Sequence, residues 1–374
     1  MEVKTDSKKE QKQINQLKKR VEANPRDDFA LFELVQRLWK SGYRKDAIDR
    51  CKRLISYSDL SSTIIEATGK FLFENKLVDD AKLLFDRLAE MYPDRAMPHY
   101  YIGRILDMMN RVEDSVAEHQ KAIELEPTNA ECYYRYGVTL ARNNQREEAE
   151  RYYHKAISLD RAHAKSYTNL GLILDLKGDG DAAVRLFRKA VHYSPQSAEA
   201  HFNLGALYGE NNQHPRAISE FRAAIELEPN SIEAHFNLGL SLYETGELNE
   251  ALDTFKKVLK IEHAHREAQF YLGMVYLKKG VNGKALKQFQ QILQQDPENP
   301  TILYNIGVCY NRMDQPKKSI PPLQKVTEID PSDGKAYYYL GVAYDKTGFA
   351  DRARDNYRIA DRKFKKSERR SETA

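Results

Sequence analysis

Residues Glu199–Gly205 read EAHFNLG, and Glu233–Gly239 repeat the same seven letters 34 residues later. The glycine that ends this stretch recurs at the same interval through most of the 374-residue chain, so the interval is a true period. It occupies Gly69, Gly103, Gly137, Gly171, Gly205, Gly239, Gly273, Gly307 and Gly341. A period of this length predicts a stack of similar helical units.

Two further series of residues keep this period and indicate how each unit packs. Twelve places after the glycine the residue is always small, and sixteen places after it the residue is bulky in most units. The small series is Ala47, Ala81, Ser115, Ala149, Ala183, Ala217, Ala251, Ala285, Ser319 and Ala353. The bulky series is Phe85, Tyr153, Phe187, Phe221, Phe255, Phe289, Leu323 and Tyr357, with Cys51 and His119 as exceptions. We expect these positions to be close contacts inside each unit.

The spacing between these points is helical. In AEAHFNLGALYGE (198–210), apolar residues recur at steps of three and four, as on one face of an amphipathic helix. The segment LNEALDTFKKVLKIE (248–262) shows the same spacing, and a short turn precedes it. Each unit is therefore predicted to be an αα-hairpin of two helices, A and B. The apolar faces of this hairpin require a neighbouring unit to cover them.

The combined pattern of an aromatic residue, Leu-Gly, Tyr, a small residue, a second aromatic, Ala and Pro resembles the tetratricopeptide repeat (TPR). This resemblance implies an all-α fold, a right-handed α-solenoid (superhelix) of tandem helix-turn-helix repeats. The array is also locally similar to the superhelical TPR region of the O-linked N-acetylglucosamine transferases, but without a catalytic domain. Ten repeats fit the frame, at 28–61, 62–95, 96–129, 130–163, 164–197, 198–231, 232–265, 266–299, 300–333 and 334–367.

The two ends of the chain differ from this frame. We expect a single solenoid over residues 28–363, preceded by an N-terminal capping helix at 14–27 whose sequence resembles a second helix. Residues 1–13 are predicted to be a charged flexible N-terminus, and residues 364–374 a basic C-terminal tail. The stack lacks an obvious polar capping helix at its C-terminal end, which indicates self-association through the solenoid ends or a partner bound there.

The resemblance also implies that the A helices line a concave groove that binds a peptide or protein segment. The slot two residues before each glycine lies on helix A and often holds asparagine, whose amide both donates and accepts hydrogen bonds. The slot just after the glycine is mostly aliphatic and predicts an apolar floor. An alternative is that the asparagines only pack against neighbouring helices. The candidate partner-binding residues are Arg135, Asn169, Asn203, Asn237, Tyr271, Asn305, Tyr339, Leu172, Leu240, Met274 and Val308.

Charged residues that flank the predicted groove change sign along the array. The acidic group is Glu199, Glu210, Glu233, Glu244 and Glu267, and the basic group is Lys278, Arg312, Lys335 and Lys346. If they are more than a solvated surface, the partner has basic residues centrally and acidic residues toward repeats eight to ten. The carboxylate clamp of chaperone-binding TPR proteins needs an asparagine just after the glycine. No repeat has one, so chaperone tails are not expected as partners.

Composition and motifs argue against other functions. The chain has 59 Lys+Arg and 55 Asp+Glu, a formal charge of +4, which does not favour nucleic acid as a partner. No apolar run is long enough to cross a bilayer, the start of the chain does not resemble a signal peptide, and only three cysteines occur. We therefore expect a cytoplasmic protein without membrane insertion. No catalytic residue, metal site or cofactor is predicted.

These observations favour a non-catalytic TPR scaffold or adaptor that binds a protein segment in its groove. Two alternatives remain open at this point. One is a structural subunit of a larger self-assembling machine, of the kind used in motility, secretion or organelle organisation. The other is a regulatory or substrate-recruiting subunit of a separately encoded enzyme. Groove residues indicate a kind of contact and do not name a partner.

Overall fold

The structure is a computed structural model that describes residues 2–371. Within this range the chain forms 21 α-helices and no β-strand, and successive helices pack as helix-turn-helix pairs. The predicted all-α solenoid is therefore confirmed. The chain divides into two compact units, which we call the N-terminal unit (Met1–Tyr193) and the C-terminal unit (Ser194–Ala374). The repeat frame of the sequence predicts a single solenoid over residues 28–363.

The N-terminal unit contains an initial helix followed by the helix pairs of five repeats. Its helices are α1 (Glu2–Ala23), α2 (Asp28–Lys40), α3 (Arg44–Ile55), α4 (Ser62–Glu74), α5 (Val78–Met91), α6 (Ala96–Met108), α7 (Val112–Leu125), α8 (Ala130–Arg142), α9 (Arg146–Leu159), α10 (Ala164–Leu176) and α11 (Gly180–Tyr193).

The C-terminal unit contains the helix pairs of the other five repeats. Its helices are α12 (Ala198–Glu210), α13 (His214–Leu227), α14 (Ile232–Thr245), α15 (Leu248–Ile261), α16 (Arg266–Lys278), α17 (Asn282–Leu293), α18 (Pro300–Arg312), α19 (Pro316–Ile329), α20 (Gly334–Lys346) and α21 (Ala350–Ser371). In both units every A helix begins at the first residue of a repeat delineated from the sequence.

The glycine and the bulky residue of each repeat meet between helices A and B. In repeat seven (232–265), a Cβ atom added to Gly239 would lie 2.7 Å from Cε1 of Phe255, which is closer than two carbon atoms can pack. Phe255 and Ala251 are both fully buried. The predicted close contact is thereby confirmed, and it fixes which side of helix A turns away from helix B.

Repeat three (96–129) fills the same interior with polar groups. The bulky residue is replaced by His119 and the small residue by Ser115, and both are fully buried. Ser115 Oγ donates to Oδ1 of Asp107 at 2.7 Å, and His119 Nε2 lies 3.3 Å from Oδ2. Thr139 of the next repeat donates to the same carboxylate at 2.8 Å. Burial opposes ionisation, but these bonds together lower the pKa of Asp107.

The ends of the chain differ from the sequence expectation. Helix α1 begins at Glu2, so a helix occupies residues 2–13, which were expected to be flexible. Ile14, Leu17 and Val21 anchor this helix in the hydrophobic core. Its first half is rich in charged residues that favour helix formation, but it has no apolar residues at helical spacing.

The last helix also runs beyond its predicted end. Helix α21 continues to Ser371, so most of the predicted basic tail extends the last helix, while residues 372–374 lie outside the described residues. The exposed side chains of α21 within 351–365 are charged except at Phe364.

Candidate functional site

The asparagine slot of the C-terminal unit lies on the A helices α12, α14 and α18. Asn203 is half-buried and has no hydrogen-bond partner among the described residues. Asn237 donates through Nδ2 to the backbone oxygen of Glu233, 2.9 Å away in its own helix. Its Oδ1 makes no hydrogen bond in the described part of the chain. Neither asparagine joins two helices, so both keep hydrogen-bonding capacity for another molecule.

The same slot has a packing role where it holds tyrosine. Tyr271 stacks on Phe255, the bulky residue of helix B in the preceding repeat, with ring centroids 5.7 Å apart. Phe236 and Tyr243 contact the ring of Tyr271 edge-on. The slot therefore faces the helix B of the repeat before it, and a large side chain there belongs to the core. Burial raises the pKa of Tyr271.

Two predicted contact residues are not accessible. Asn305 is only 5% exposed, and its Nδ2 donates to the backbone oxygen of Thr301 at 2.8 Å. Val308 is 3% exposed and belongs to a hydrophobic cluster against which Met274 and Tyr339 pack. Because large side chains of the neighbouring repeats cover this part of α18, both residues are assigned to the core. Their prediction as contact residues is corrected here.

The remaining predicted residues of the C-terminal unit are half-buried on the A helices. Leu240 and Met274 follow their glycines as expected for a partly exposed apolar floor. Tyr339 packs edge-on against Tyr304, with centroids 5.7 Å apart. We call the exposed side of α12, α14 and α16 the A-helix face. It includes Asn203, Asn237, Leu240 and Met274, whereas Tyr271 belongs to the core.

In the N-terminal unit, the candidate Arg135 is engaged by its own repeat. Its Nε donates to Glu131 Oε1 at 2.7 Å, and its guanidinium lies 5.1 Å from the ring centroid of Tyr134. Glu131 also accepts from Tyr100 at 3.1 Å and from His163 Nε2 at 3.2 Å. Burial opposes ionisation of Glu131, but the bond from His163 and the charge of Arg135 lower its pKa to about 2. The network is internally satisfied.

The other two candidates of this unit behave differently from each other. Asn169 donates through Nδ2 to the hydroxyl of the buried Tyr153 at 3.3 Å, so it joins two helices. Leu172 is 37% exposed and remains accessible. The asparagine slot thus has a packing role at position 169, in agreement with the alternative left open by the sequence.

Four acidic side chains on the A helices of the C-terminal unit are unpaired, whereas Glu267 pairs with His265 and Lys346 with Asp314. Glu199, Glu210, Glu233 and Glu244 are exposed and form no ion pair with a described residue. Farther along the stack, Lys278 lies over the ring of Tyr243 at 3.5 Å from the centroid. The change of sign noted in the sequence is therefore present on these helices.

Histidines at the ends of two repeats were not recognised as packing residues from the sequence. His163 lies over the ring of Tyr134 and His265 over that of Phe236, both with centroids 5.0 Å apart. Each also caps the next A helix, and His265 Nδ1 accepts from the backbone N–H of Ala268. Serine and asparagine occupy the same place in other repeats, which indicates the helix-capping role of the position but not where a histidine ring would lie.

Groups that could carry chemistry are engaged in structure. His201 and His235 are mostly buried and contact backbone oxygens of the preceding turn, in agreement with the packing role of that slot. All three cysteines are buried, and burial raises the pKa of Cys51, Cys132 and Cys309 to about 12. Within residues 2–371 there is no cluster of three or more metal-ligating side chains. No described helix is long and apolar enough to cross a membrane.

Sequence comparisons identify the family. Profiles of the tetratricopeptide repeat match residues 120–151, 164–197, 186–219, 208–246, 232–265 and 276–340. These matches together span just over half of the chain, and two of them, 164–197 and 232–265, coincide with single helix pairs of the structure. The chain therefore belongs to the tetratricopeptide-repeat proteins. A search of curated proteins gave no significant sequence match.

Solved structures with the same fold share little sequence with this chain. The C-terminal part of a TPR repeat-containing protein from Cytophaga hutchinsonii is 18% identical, over 64% of this chain and 98% of that one, with a TM-score of 0.51. YrrB, a TPR protein with an unusual peptide-binding site, is 24% identical over 49% and 95% of the two chains, with a TM-score of 0.42. MamA is 24% identical over 45% and 92%, with a TM-score of 0.40. The similarity to the Cytophaga hutchinsonii protein concerns the fold alone.

Proposed function

We propose that this protein is a non-catalytic cytoplasmic scaffold or adaptor that binds an extended or helical segment of another protein along the A-helix face of its C-terminal unit. The repeat family supports a role in protein interaction. The assignment to this face rests on polar side chains that form no hydrogen bond between helices.

The observation that carries the proposal is the pair Asn203 and Asn237. They occupy the same slot in consecutive repeats, and neither forms a hydrogen bond between helices. Exposed carboxylates and half-buried aliphatic side chains surround them on α12 and α14. Polar groups with free donors and acceptors beside a partly apolar floor can bond the backbone of a partner segment and cover its apolar side chains.

The test is affinity purification from native lysate with the wild type and with the double variant Asn203→Ala and Asn237→Ala. Each lost hydrogen bond is worth about 0.5–1.5 kcal/mol, so the double variant is expected to bind the partner roughly 5- to 150-fold more weakly. Circular dichroism and thermal unfolding should be unchanged, because neither side chain joins two helices.

The matched control is Glu226→Ala with Lys257→Ala. Both side chains are exposed on B helices and form no ion pair with a described residue. This control should retain the partner. If the asparagine variant also retains the partner at wild-type levels, the A-helix face is not the binding surface.

A further inference from the structure

Two cavities in the C-terminal unit occupy equivalent places two repeats apart. The first, of about 220 Å³, lies between repeats six and seven, and the second, of about 290 Å³, lies between repeats eight and nine. Every residue that lines the first has its counterpart 68 residues later in the lining of the second. The recurrence shows that the cavity is a product of the repeat and of particular residue choices. Both cavities are side-chain-sized, below the volume of an ordinary drug-like site.

The floor of each cavity is aromatic. Phe202 lies in the first cavity and Phe270 in the second, and each ring is held by the bulky residue of its own repeat. The ring centroids of Phe202 and Phe221 are 5.9 Å apart, and Phe221 is fully buried. An anchored ring offers its face to a cation without further ordering.

A histidine of this same chain shows what fits on such a ring. In repeat four, His163 covers Tyr134 and its Nε2 bonds Glu131, three residues before the ring. In repeat six, the corresponding pair is Glu199 and Phe202, but the histidine is replaced by Ser231. The cavity is therefore the place that a nitrogen-bearing side chain fills in repeat four. In repeat seven, between the two cavities, His265 covers Phe236 in the same way.

The charges around the cavities favour a cationic occupant. Glu199, Glu228 and Glu233 line the first cavity, all are exposed, and none forms an ion pair with a described residue. In the second cavity Glu267 lies 3.3 Å from Nδ1 of His265, and Asp296 accepts from Asn299 at 2.9 Å. Arg266 also lines this cavity, and its Nε donates to Gln295. The first cavity thus has the greater excess of negative charge.

We propose that these two cavities bind two lysine or arginine side chains of one partner segment, the first cavity more tightly than the second. This assignment rests on the proposed function and names the chemistry of the partner. The aliphatic part of such a side chain packs on the phenylalanine ring, and its charged end meets the carboxylates. Adjacent A helices that touch are about 8–10 Å apart, so the two cavities are separated by roughly 20 Å. An extended segment covers that distance in about six residues.

The probe is a fluorescein-labelled peptide whose only charged side chains are two lysines about six residues apart, and its affinity for the full purified chain is measured by fluorescence anisotropy. Ser231→His should fill the first cavity and weaken binding by about tenfold or more, and Asn299→His should have a smaller effect in the same direction. Histidine already caps helices α10 and α16 at this position, so both variants are expected to fold. Replacement of both lysines by glutamine should abolish binding.

Glu226→Gln removes an exposed carboxylate on α13 outside the cavity lining, so this control variant should bind the peptide as the wild type does. Equal affinity of Ser231→His and wild type for the lysine peptide, or equal affinity of the wild type for the lysine and glutamine peptides, would overturn the assignment. A cellular partner that is lost in the asparagine variant but bound normally by Ser231→His would also overturn it and leave the proposed function standing.

Discussion

The N-terminal and C-terminal units are built from the same repeat, but they use the polar residues of their A helices differently. Glu131 in the N-terminal unit accepts hydrogen bonds from Tyr100, Arg135 and His163. Glu199, which occupies the same slot 68 residues later in the C-terminal unit, has no partner among the described residues. Side chains at equivalent repeat positions therefore hold the fold together in the N-terminal unit and are unpaired in the C-terminal unit. Substitutions at matched positions should separate stability from binding.

The largest difference is expected at the slot of Asp107. Its carboxylate accepts from Ser115, His119 and Thr139 in the interior, so Asp107→Ala leaves buried donors without a partner. We expect the free energy of unfolding to fall by about 3 kcal/mol in urea titrations. Asp345 occupies the same slot in the C-terminal unit, is exposed, and forms no side-chain hydrogen bond or ion pair in the described structure. Asp345→Ala should cost less than about 0.5 kcal/mol, and an equal cost at both sites would contradict the comparison.

A smaller difference is expected between Glu131 and Glu199. Glu131→Ala removes the acceptor of three partly buried donors and should destabilise the protein by about 2 kcal/mol. Glu199→Ala should change stability by less than about 0.5 kcal/mol, because this side chain is exposed and unpaired. Chemical denaturation of the two variants side by side provides the measurement. A Glu199 variant as unstable as the Glu131 variant would show that the face of the C-terminal unit is structural as well.

The dependence of folding stability on pH tests the role of Glu131 further. The pKa of Glu131 is near 4.5 when unperturbed and about 2 in the folded protein, so folding favours its ionised form. Its contribution to stability is therefore complete above about pH 5 and is lost as the pH falls from there toward 2. The stability gap between wild type and Glu131→Gln should narrow over this range. A gap that stays constant from pH 6 to about 3 would mean that the ionised carboxylate is not what stabilises the network.

Much of this organisation could be predicted from the sequence, because the repeat fixes helix positions and close contacts by steric rules. The contact of Gly239 with Phe255 follows from series of small and bulky residues that any single-sequence reading reveals. Helix formation in residues 2–13 was missed because charged helix formers carry no apolar period there.

The candidate site was predicted less completely than the fold. The burial of Asn305 and Val308 depends on the size of side chains in neighbouring repeats, which the slot itself does not encode. The histidines over Tyr134 and Phe236 were missed because a helix-capping position gives no sequence indication of where its ring will lie.

The smallest difference is expected at the asparagine slot. Asn169→Ala removes a bond to the hydroxyl of buried Tyr153 and should cost about 1 kcal/mol. Asn203→Ala removes no hydrogen bond to a described residue and should be close to neutral for stability. Thermal unfolding monitored by circular dichroism can distinguish the stabilities of the two variants. If Asn203→Ala costs as much as Asn169→Ala, the slot has the same packing role in both units.

The central claim is that a protein segment binds the A-helix face of the C-terminal unit, and site-specific photo-crosslinking tests it most directly. A photoreactive phenylalanine analogue is placed at Asn203 or Asn237, or at the exposed Lys257 on helix α15, and the protein is irradiated in cells of its source. We expect one defined protein to be crosslinked from positions 203 and 237 and not from position 257. Crosslinking of the same protein from position 257 alone, or equally from all three positions, would contradict the account.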